Sequence, residues 1–220
     1  MSTSDPTRPP APAQAEPSGA SAPAPGAGQA RVTCAPLAPH HAAPLAALFE
    51  RSATSCYCRW YDFDGDKNQW LDRCYNHPEI NRTDLLAGVN QGATQGVVAA
   101  LGEQVVGWMR LEPAEKLTKA YDQRLYRGLP CFDGDRSGVF TIGCFLVDPA
   151  QRGQGVARDL LRAGVARAKS LGATALEAFP RRDTMLGPEA VWTGPFELYT
   201  AEGFSIVNNF GPYPVMRLTL

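Results

Sequence analysis

The sequence predicts a mixed α/β (α+β) fold with a strongly twisted sheet, and three observations lead to this prediction. Strand-like and helix-like segments alternate along residues 31–220. Residues 139–147 are almost entirely apolar, as expected of a central strand that is buried on both faces. A glycine-containing turn follows them and leads into an apolar stripe at helical spacing over residues 156–171.

The first 30 residues differ in composition from the rest of the chain. They contain seven Pro, eight Ala and three Gly, and no apolar run is long enough to pack. We therefore expect residues 1–30 to form a disordered Pro/Ala-rich tail. They have neither the basic start nor the apolar centre of a secretory signal. Residues 31–220 are then expected to form a single domain, which is long enough for one well-buried core.

Hydrophobic periodicity and turn residues place the remaining elements. In chain order, strands are predicted at residues 32–37, 96–101, 105–111, 139–147, 173–179, 204–207 and 215–220, and helices at residues 44–52, 83–89, 156–171 and 195–202. Pro36 and Pro39 end the first strand, and Gly102-Glu103 turns the hairpin. Gly172 and Gly203 end the last two helices. Residues 56–77 look irregular, and residues 113–129 are expected to run over the surface, partly as a helix.

Charge and apolar content exclude several classes of function. The tail carries one basic and two acidic side chains, which leaves 20 of each sign in residues 31–220. A neutral domain argues against binding nucleic acid or an anionic membrane over a broad surface. No segment approaches 18 consecutive apolar residues, so no membrane span is expected.

The most informative segment is the turn after the predicted central strand, which contains Arg152, Gly153 and Gly155. Glycines allow the backbone to approach a ligand closely. The first N–H groups of the helix that follows have no helical acceptor, and the helix dipole adds partial positive charge. The turn therefore predicts a phosphate site. It is neither a P-loop nor a G-x-G-x-x-G turn.

Arg152, Gly155 and Ala157 match the pattern Arg/Gln-x-x-Gly-x-Gly/Ala. With the strand before it and the helix after it, this segment resembles the acetyl-CoA loop of the GNAT N-acetyltransferase superfamily. The order of elements also resembles the GNAT fold, in which the strands on either side of the loop helix splay apart. The resemblance implies a mixed, strongly twisted GNAT-like sheet with splayed central strands and flanking helices, and acetyl-CoA as co-substrate.

Further matches suggest one branch of that superfamily, which carries an early Cys-x-Cys-x-x-Trp element and a Gly-Trp hairpin. They are Cys56-Tyr57-Cys58-Arg59-Trp60, Asn81-Arg82, Val106-Gly107-Trp108, Cys144-Phe145, Leu176-Glu177-Ala178-Phe179-Pro180 and Val215-Met216-Arg217. The resemblance covers about residues 31–220.

The resemblance also implies which residues bind the co-substrate. Main-chain groups of Phe145, Leu146 and Val147 are expected to pair with its acetyl and pantetheine end, as an added strand would. Backbone amides are expected to hold its pyrophosphate, and they belong to Arg152, Gly153, Gln154, Gly155, Val156 and Ala157. The Arg152 side chain is expected to assist.

Two side chains are candidates for proton transfer. Tyr199 lies in a segment, Leu198 to Phe204, that matches the family's Tyr-x-x-x-Gly-Phe helix end, where the tyrosine faces the CoA sulfur as general acid. The alternative is a core tyrosine that anchors the helix. Glu177 lies in an apolar strand, where an isolated carboxylate is costly, and it is the candidate general base. The alternative for Glu177 is a salt bridge.

Six cysteines, Cys34, Cys56, Cys58, Cys74, Cys131 and Cys144, are scattered along the chain. Cys56, Cys58, Cys74 and His77 could hold zinc, but the Cys-x-Cys spacing is shorter than usual. Buried free thiols are the favoured interpretation, so no metal is expected.

These observations together favour a cytoplasmic acetyl-CoA-dependent N-acetyltransferase that acts on a primary amine, most simply that of a small molecule. A protein amine is the second class of acceptor. A non-catalytic acyl-CoA-binding or regulatory module is the competing class of function. The sequence leaves the oligomeric state open between a monomer and a homodimer.

Overall fold

The computed structural model of the chain describes residues 31–182, 187 and 191–220, so the predicted tail lies outside the described residues. Seven strands form one sheet in the order β1-β2-β3-β4-β5-β7-β6. They are β1 (Thr33–Pro36), β2 (Gly96–Leu101), β3 (Gln104–Pro113), β4 (Val139–Val147), β5 (Ala175–Ala178), β6 (Ser205–Asn208) and β7 (Val215–Thr219). β4 and β5 are parallel, whereas the other neighbouring strands are antiparallel. The predicted mixed α/β fold is confirmed.

Within the described ranges, six α-helices flank this sheet. They are α1 (Ala42–Arg51), α2 (Lys67–Asn76), α3 (Pro78–Asn90), α4 (Thr118–Tyr121), α5 (Val156–Ser170) and α6 (Phe196–Ala201). α5 buries Val156, Leu160 and Leu161 in the largest core cluster, against side chains of β2, β3 and β4. The apolar stripe predicted for this helix therefore does face the sheet.

The segment interpreted as irregular contains a helix that the periodicity did not indicate. The Asp66 carboxylate accepts hydrogen bonds from the N–H groups of Asn68 and Gln69, at 2.7 and 2.9 Å. The Gln69 side chain accepts in return from the Asp66 N–H group, at 2.9 Å. This capping box begins α2, and its Asp-x-x-Gln signature was available in the sequence. α3 begins at Pro78, five residues earlier than predicted, because proline fits the first turn of a helix.

β4 separates from β5 halfway along its length. It pairs with β5 only from Val139 to Ile142, but with β3 up to Val147. Between the pairs Met109↔Phe145 and Leu111↔Ile142, one β3 residue lies opposite two β4 residues, which is a bulge. The last five residues of β4 therefore have an edge that β5 does not cover.

The two faces of the sheet are covered differently around this opening. α5 covers one face, whereas side chains from residues 117–126 and Tyr61 pack with Phe179 and Val215 in a separate cluster. The described residues contain no helix that is both long and apolar enough to span a membrane.

Candidate active site

The turn between β4 and α5 has the backbone conformation that its glycines predict. Gly153 and Gly155 adopt φ values of +74° and +88°, in the left-handed region that favours glycine. A Cβ atom built on either residue would meet nothing within 4 Å, so the turn presents open backbone. The N–H groups of Arg158 and Asp159 donate to the Gly155 carbonyl and begin the helical pattern. The N–H groups of residues 153–157 therefore precede the first helical hydrogen bonds.

Asp148 fixes the start of this turn. Its carboxylate accepts hydrogen bonds from Ala150 N–H, at 3.0 Å, and from Arg51 Nε, at 2.8 Å. Arg51 also donates to the Val105 carbonyl, at 2.6 Å. Burial would raise the pKa of Asp148, but Arg51 and the Ala150 N–H group outweigh it and hold this pKa below its usual value. Sequence reasoning missed this anchor because Arg51 lies 97 residues before Asp148.

A groove of about 680 Å³ opens beside the turn. Its lining residues come from the end of β4, the turn, the start of α5 and the chain around α6: Phe145, Leu146, Val147, Gln151, Arg152, Gly153, Gly155, Val156, Ala157, Arg158, Val191, Pro195, Glu197, Leu198 and Ala201. Eight of the nine predicted co-substrate residues thus lie on one surface. The ninth, Gln154, is outside this lining, and its side chain donates to the Ala150 carbonyl, at 3.1 Å. The lining joins the end of β4 to the N–H groups of the turn, which favour an anionic group at that end.

The uncovered edge of β4 is occupied by another part of the chain. The Phe145 N–H group donates to the Trp192 carbonyl, at 2.7 Å. On its other side, the same segment forms a parallel bridge between Pro195 and Arg181, just after β5. We call residues 191–195 the strap. It lies in the gap where β4 and β5 separate.

Tyr199 lies beneath the groove, outside its lining. Its ring is fully buried and packs against Phe145 and Phe204, with ring centroids 6.2 and 5.1 Å apart. Its hydroxyl donates to the Thr193 carbonyl of the strap, at 2.6 Å. Burial raises the pKa of Tyr199 well above its ordinary value, so the phenol is protonated. The phenol proton is present, but in this arrangement it is directed at the strap.

Glu177 has the surroundings of a structural carboxylate, which favours the salt-bridge alternative over the predicted base. It is fully buried and accepts hydrogen bonds from Arg136 Nη2, at 2.7 Å, from Arg217 Nε, at 3.0 Å, and from the Tyr121 hydroxyl, at 2.7 Å. Both oxygens are therefore engaged by cationic or hydroxyl donors. Two guanidinium groups therefore pair with this carboxylate inside the sheet.

The cysteine segment does not form a metal site in the described part of the chain. No group of three or more His, Cys, Asp or Glu side chains is arranged there to hold an ion. Burial raises the pKa of Cys56 to about 12. A hydrogen bond with Cys58, together with burial, raises the pKa of Cys144 well above its ordinary value. Cys56 and Cys144 are therefore thiols at neutral pH.

Tyr61 lies beside the bulge of β4. The hydroxyl of Tyr61 donates to the Gly143 carbonyl, at 2.8 Å. A Cβ atom on Gly143 would lie 3.0 Å from the Tyr61 ring, so the close approach depends on this glycine. The Tyr61 ring also lies near Trp192 of the strap, with centroids 6.1 Å apart. Tyr61 thus contacts both sides of the gap between β4 and the strap.

A mixed sheet that opens beside a glycine turn at a helix N-terminus defines a class of α/β protein that holds an anionic ligand against its splayed strands. Comparison of the sequence with family profiles identifies that class: the Acetyltransferase (GNAT) family profile matches residues 51–185. The chain belongs to this family and is an acyltransferase.

Solved structures share the fold. The GNAT domain of S. lividans PAT has a TM-score of 0.53 at 17% identity, with 85% of this chain and 89% of that chain covered. The PaiA N-acetyltransferase of Thermoplasma acidophilum, solved in complex with coenzyme A, has a TM-score of 0.52 at 12% identity. That comparison covers 86% of this chain and 99% of the other. No curated protein sequence matches the chain.

Proposed function

We propose that the protein transfers the acetyl group of acetyl-CoA to a primary amine of a small molecule. The observation that carries this proposal is the groove itself, where the end of β4 that β5 does not pair with and the N–H groups of the glycine turn line one cleft. A diphosphate fits the turn because unpaired N–H groups and the start of α5 favour negative charge. The pantetheine arm, which carries amide groups, fits a strand edge.

The residues fit acetyl-CoA at both ends of the groove. Gly153 and Gly155 leave open space where a side chain would block a phosphate. Arg152 lies on the groove surface and adds positive charge at the same end. At the other end, the Phe145 N–H group is the donor suited to the thioester carbonyl, where it would stabilise charge that develops on the oxygen.

Proton transfer is assigned to Tyr199 and to water. The Tyr199 phenol is protonated and lies against Phe145, so it is our candidate to protonate the departing thiolate. An alkyl ammonium group has a pKa of about 10.4 and must lose a proton before it attacks. Because Glu177 is paired with Arg136 and Arg217, we propose that solvent water takes the proton from the ammonium group, or that the small fraction of amine that is already neutral reacts.

The competing class of function, a non-catalytic acyl-CoA-binding module, differs from an acyltransferase in its outcome with amines. The Phe145 N–H group and the Tyr199 hydroxyl both donate to the strap, so acyl transfer requires that the strap release them. Turnover with any amine excludes the binding module.

The remaining assignments are proposals from the sequence. We place the protein in the branch with the Cys-x-Cys-x-x-Trp element at residues 56–60. We propose that it acts without a metal, in the cytoplasm, where its cysteines remain reduced. A homodimer is the oligomeric state to test first, by light scattering at several concentrations.

Binding of CoA by calorimetry tests the assigned groove. Gly155→Ala places a methyl group on the open face of the turn, where it would crowd a bound phosphate. Loss of even one charge-assisted hydrogen bond costs about 1.5 kcal/mol of binding free energy, so we expect the Kd for CoA to rise about tenfold or more. Gly172→Ala is the matched control, because Gly172 ends the same helix with φ +79° and has equally open surroundings. Equal effects of the two substitutions would contradict the assignment.

Release of free CoA thiol with acetyl-CoA and a panel of amines tests the reaction. We expect turnover with at least one small primary amine and a kcat that rises with pH as the amine deprotonates. Turnover only with peptide or protein amines would assign the second acceptor class. CoA binding with no turnover across the panel would favour the binding module.

A further inference from the structure

We propose that the strap, residues 191–195, masks the acyl-transfer site of the free protein and must be displaced before acetyl-CoA can dock. The inference builds on the proposed function. It is supported by two consecutive strap carbonyls, which accept hydrogen bonds from the two donors that the proposed mechanism requires. The Trp192 carbonyl accepts from Phe145 N–H, and the Thr193 carbonyl accepts from the Tyr199 hydroxyl.

The strap occupies the space that a ligand needs. β5 leaves β4 after Ile142, and the strap bridges the resulting gap between Phe145 and Arg181. Val191 and Pro195 also line the groove. A ligand that pairs with the edge of β4 as an added strand would compete with the strap for the same N–H group, because that group donates a strong hydrogen bond to one partner at a time.

The closed strap makes two short hydrogen bonds but leaves one buried hydroxyl without a partner among the described residues. Its hydrogen bonds to Phe145 and Tyr199 are short, at 2.7 and 2.6 Å. In contrast, Thr193 Oγ1 is buried without a hydrogen-bond partner among the described residues, and the Trp192 ring remains 39% exposed. A buried unpaired hydroxyl raises the free energy of the closed state. Favourable hydrogen bonds and an unfavourable unpaired hydroxyl thus partly cancel in the closed state, as expected of a segment that a ligand can displace.

Gly194 offers a substitution that acts on the closed strap. Its φ value is +92°, and a Cβ atom built on it would lie 2.6 Å from the Tyr199 hydroxyl oxygen. Gly194→Ala therefore cannot keep the closed arrangement. Gly203→Ala is the matched control, because Gly203 has a similar φ of +89° and its Cβ would meet only Leu218 Cδ1, at an ordinary 3.7 Å.

Hydrogen exchange of the Phe145 amide, followed by NMR on the free full-length chain, tests whether the strap is closed. We expect protection in the wild-type protein and in Gly203→Ala, and at least tenfold faster exchange in Gly194→Ala. An unprotected Phe145 amide in the free wild-type protein would overturn the proposal.

Calorimetric affinities test whether the strap masks the site. We expect Gly194→Ala to bind acetyl-CoA about fourfold or more tightly, because a masked site lowers the apparent affinity by its open fraction and each of the two lost strap hydrogen bonds contributes a factor of at least ~2. Gly203→Ala should leave the Kd unchanged. Faster Phe145 exchange in Gly194→Ala with no gain in acetyl-CoA affinity would refute the masking role.

A fragment ligand separates this proposal from the proposed function. Adenosine 3′-phosphate 5′-diphosphate carries the phosphates of CoA but no pantetheine arm, so it should bind the wild-type protein and Gly194→Ala equally. If neither ligand binds, the proposed function fails. If both bind and Gly194→Ala changes neither, only the strap proposal fails.

A second pair of variants covers the case in which Gly194→Ala does not fold. Trp192→Gly removes the ring beside Tyr61 and gives the strap backbone more freedom, whereas Trp192→Phe keeps an aromatic contact. We expect Trp192→Gly to reproduce faster Phe145 exchange and tighter acetyl-CoA binding, and Trp192→Phe to behave as wild type. Identical behaviour of the two variants would count against the strap.

Discussion

Glu177→Gln tests the conclusion that this carboxylate is structural. Glu177 is fully buried, whereas the side chains of its partners Arg136 and Arg217 are 26% and 28% exposed. Removing one member of a buried ion pair costs about 3–5 kcal/mol. Because both guanidinium groups keep contact with water, we reduce this to about 2–3 kcal/mol. At about 2–4 °C per kcal/mol for a chain of this size, Tm should fall by about 4–12 °C.

Thermal and urea unfolding measure this loss, and steady-state kinetics measure its effect on the reaction. We expect kcat near neutral pH to change by less than about tenfold, since a positioned base contributes about 10²–10⁴. Glu103→Gln, in the exposed turn between β2 and β3, is the control and should cost less than about 0.5 kcal/mol. If Glu177→Gln costs equally little and instead lowers kcat more than about 100-fold with CoA affinity intact, Glu177 is a base and our reasoning is wrong.

Three further predictions follow from the same geometry. Tyr199→Phe should lower kcat by about 10²-fold without weakening CoA binding, as expected for loss of a general acid, and should cost about 1 kcal/mol of stability because the hydrogen bond to the Thr193 carbonyl is lost. Arg152→Glu should weaken CoA binding about tenfold or more, measured by calorimetry, whereas Arg124→Glu on the exposed excursion should not. In the folded protein the pKa of Asp148 lies below its usual value of about 3.9. Its contribution to stability is therefore complete above pH ~3.9 and is lost as the pH falls through the folded pKa. Asp148→Asn should remove this part of the acid dependence of unfolding, measured by denaturation at a series of pH values.

Each of these predictions has a result that would contradict it. Unchanged kcat in Tyr199→Phe would leave the tyrosine with the packing role alone. Equal losses of CoA affinity in Arg152→Glu and Arg124→Glu would show a general charge effect. An acid unfolding profile of Asp148→Asn that parallels the wild-type profile would show that the ion pair with Arg51 does not set the stability of the turn.

The strand, the glycine turn and the helix after it could be predicted because their signals are local. Residues 139–147 form β4 with the predicted bounds, and α5 ends one residue earlier than predicted. A continuous apolar run, two glycines and a periodic stripe lie next to one another in the sequence, and each has one favoured backbone conformation. The prediction of the groove residues came from the resemblance of this segment to the acetyl-CoA loop, and eight of the nine lie together.

The surroundings of Glu177 could not be predicted, because they depend on contacts between distant residues. Its partners Arg136, Arg217 and Tyr121 lie 41, 40 and 56 residues away along the chain. An acidic residue in an apolar strand indicates that some partner exists, but it does not distinguish a salt bridge from a catalytic cleft. The pairing of β5 with its two neighbouring strands determines the partners, since it places Glu177 opposite Arg217 on β7 and beside Thr141 on β4. The capping box of α2 is a different case, since its signal was local and was overlooked.

The strap has no sequence signature because it acts through backbone carbonyls, yet the separation of β4 from β5 makes such a segment physically reasonable. Buried backbone N–H groups are almost always paired, and Phe145 is buried. An open strand edge also invites pairing with another chain. A sheet that splays to admit a ligand therefore leaves a donor that needs a partner whenever the ligand is away. In this protein the Trp192 carbonyl is that partner, so the opening that we propose for acetyl-CoA also explains why the chain covers it.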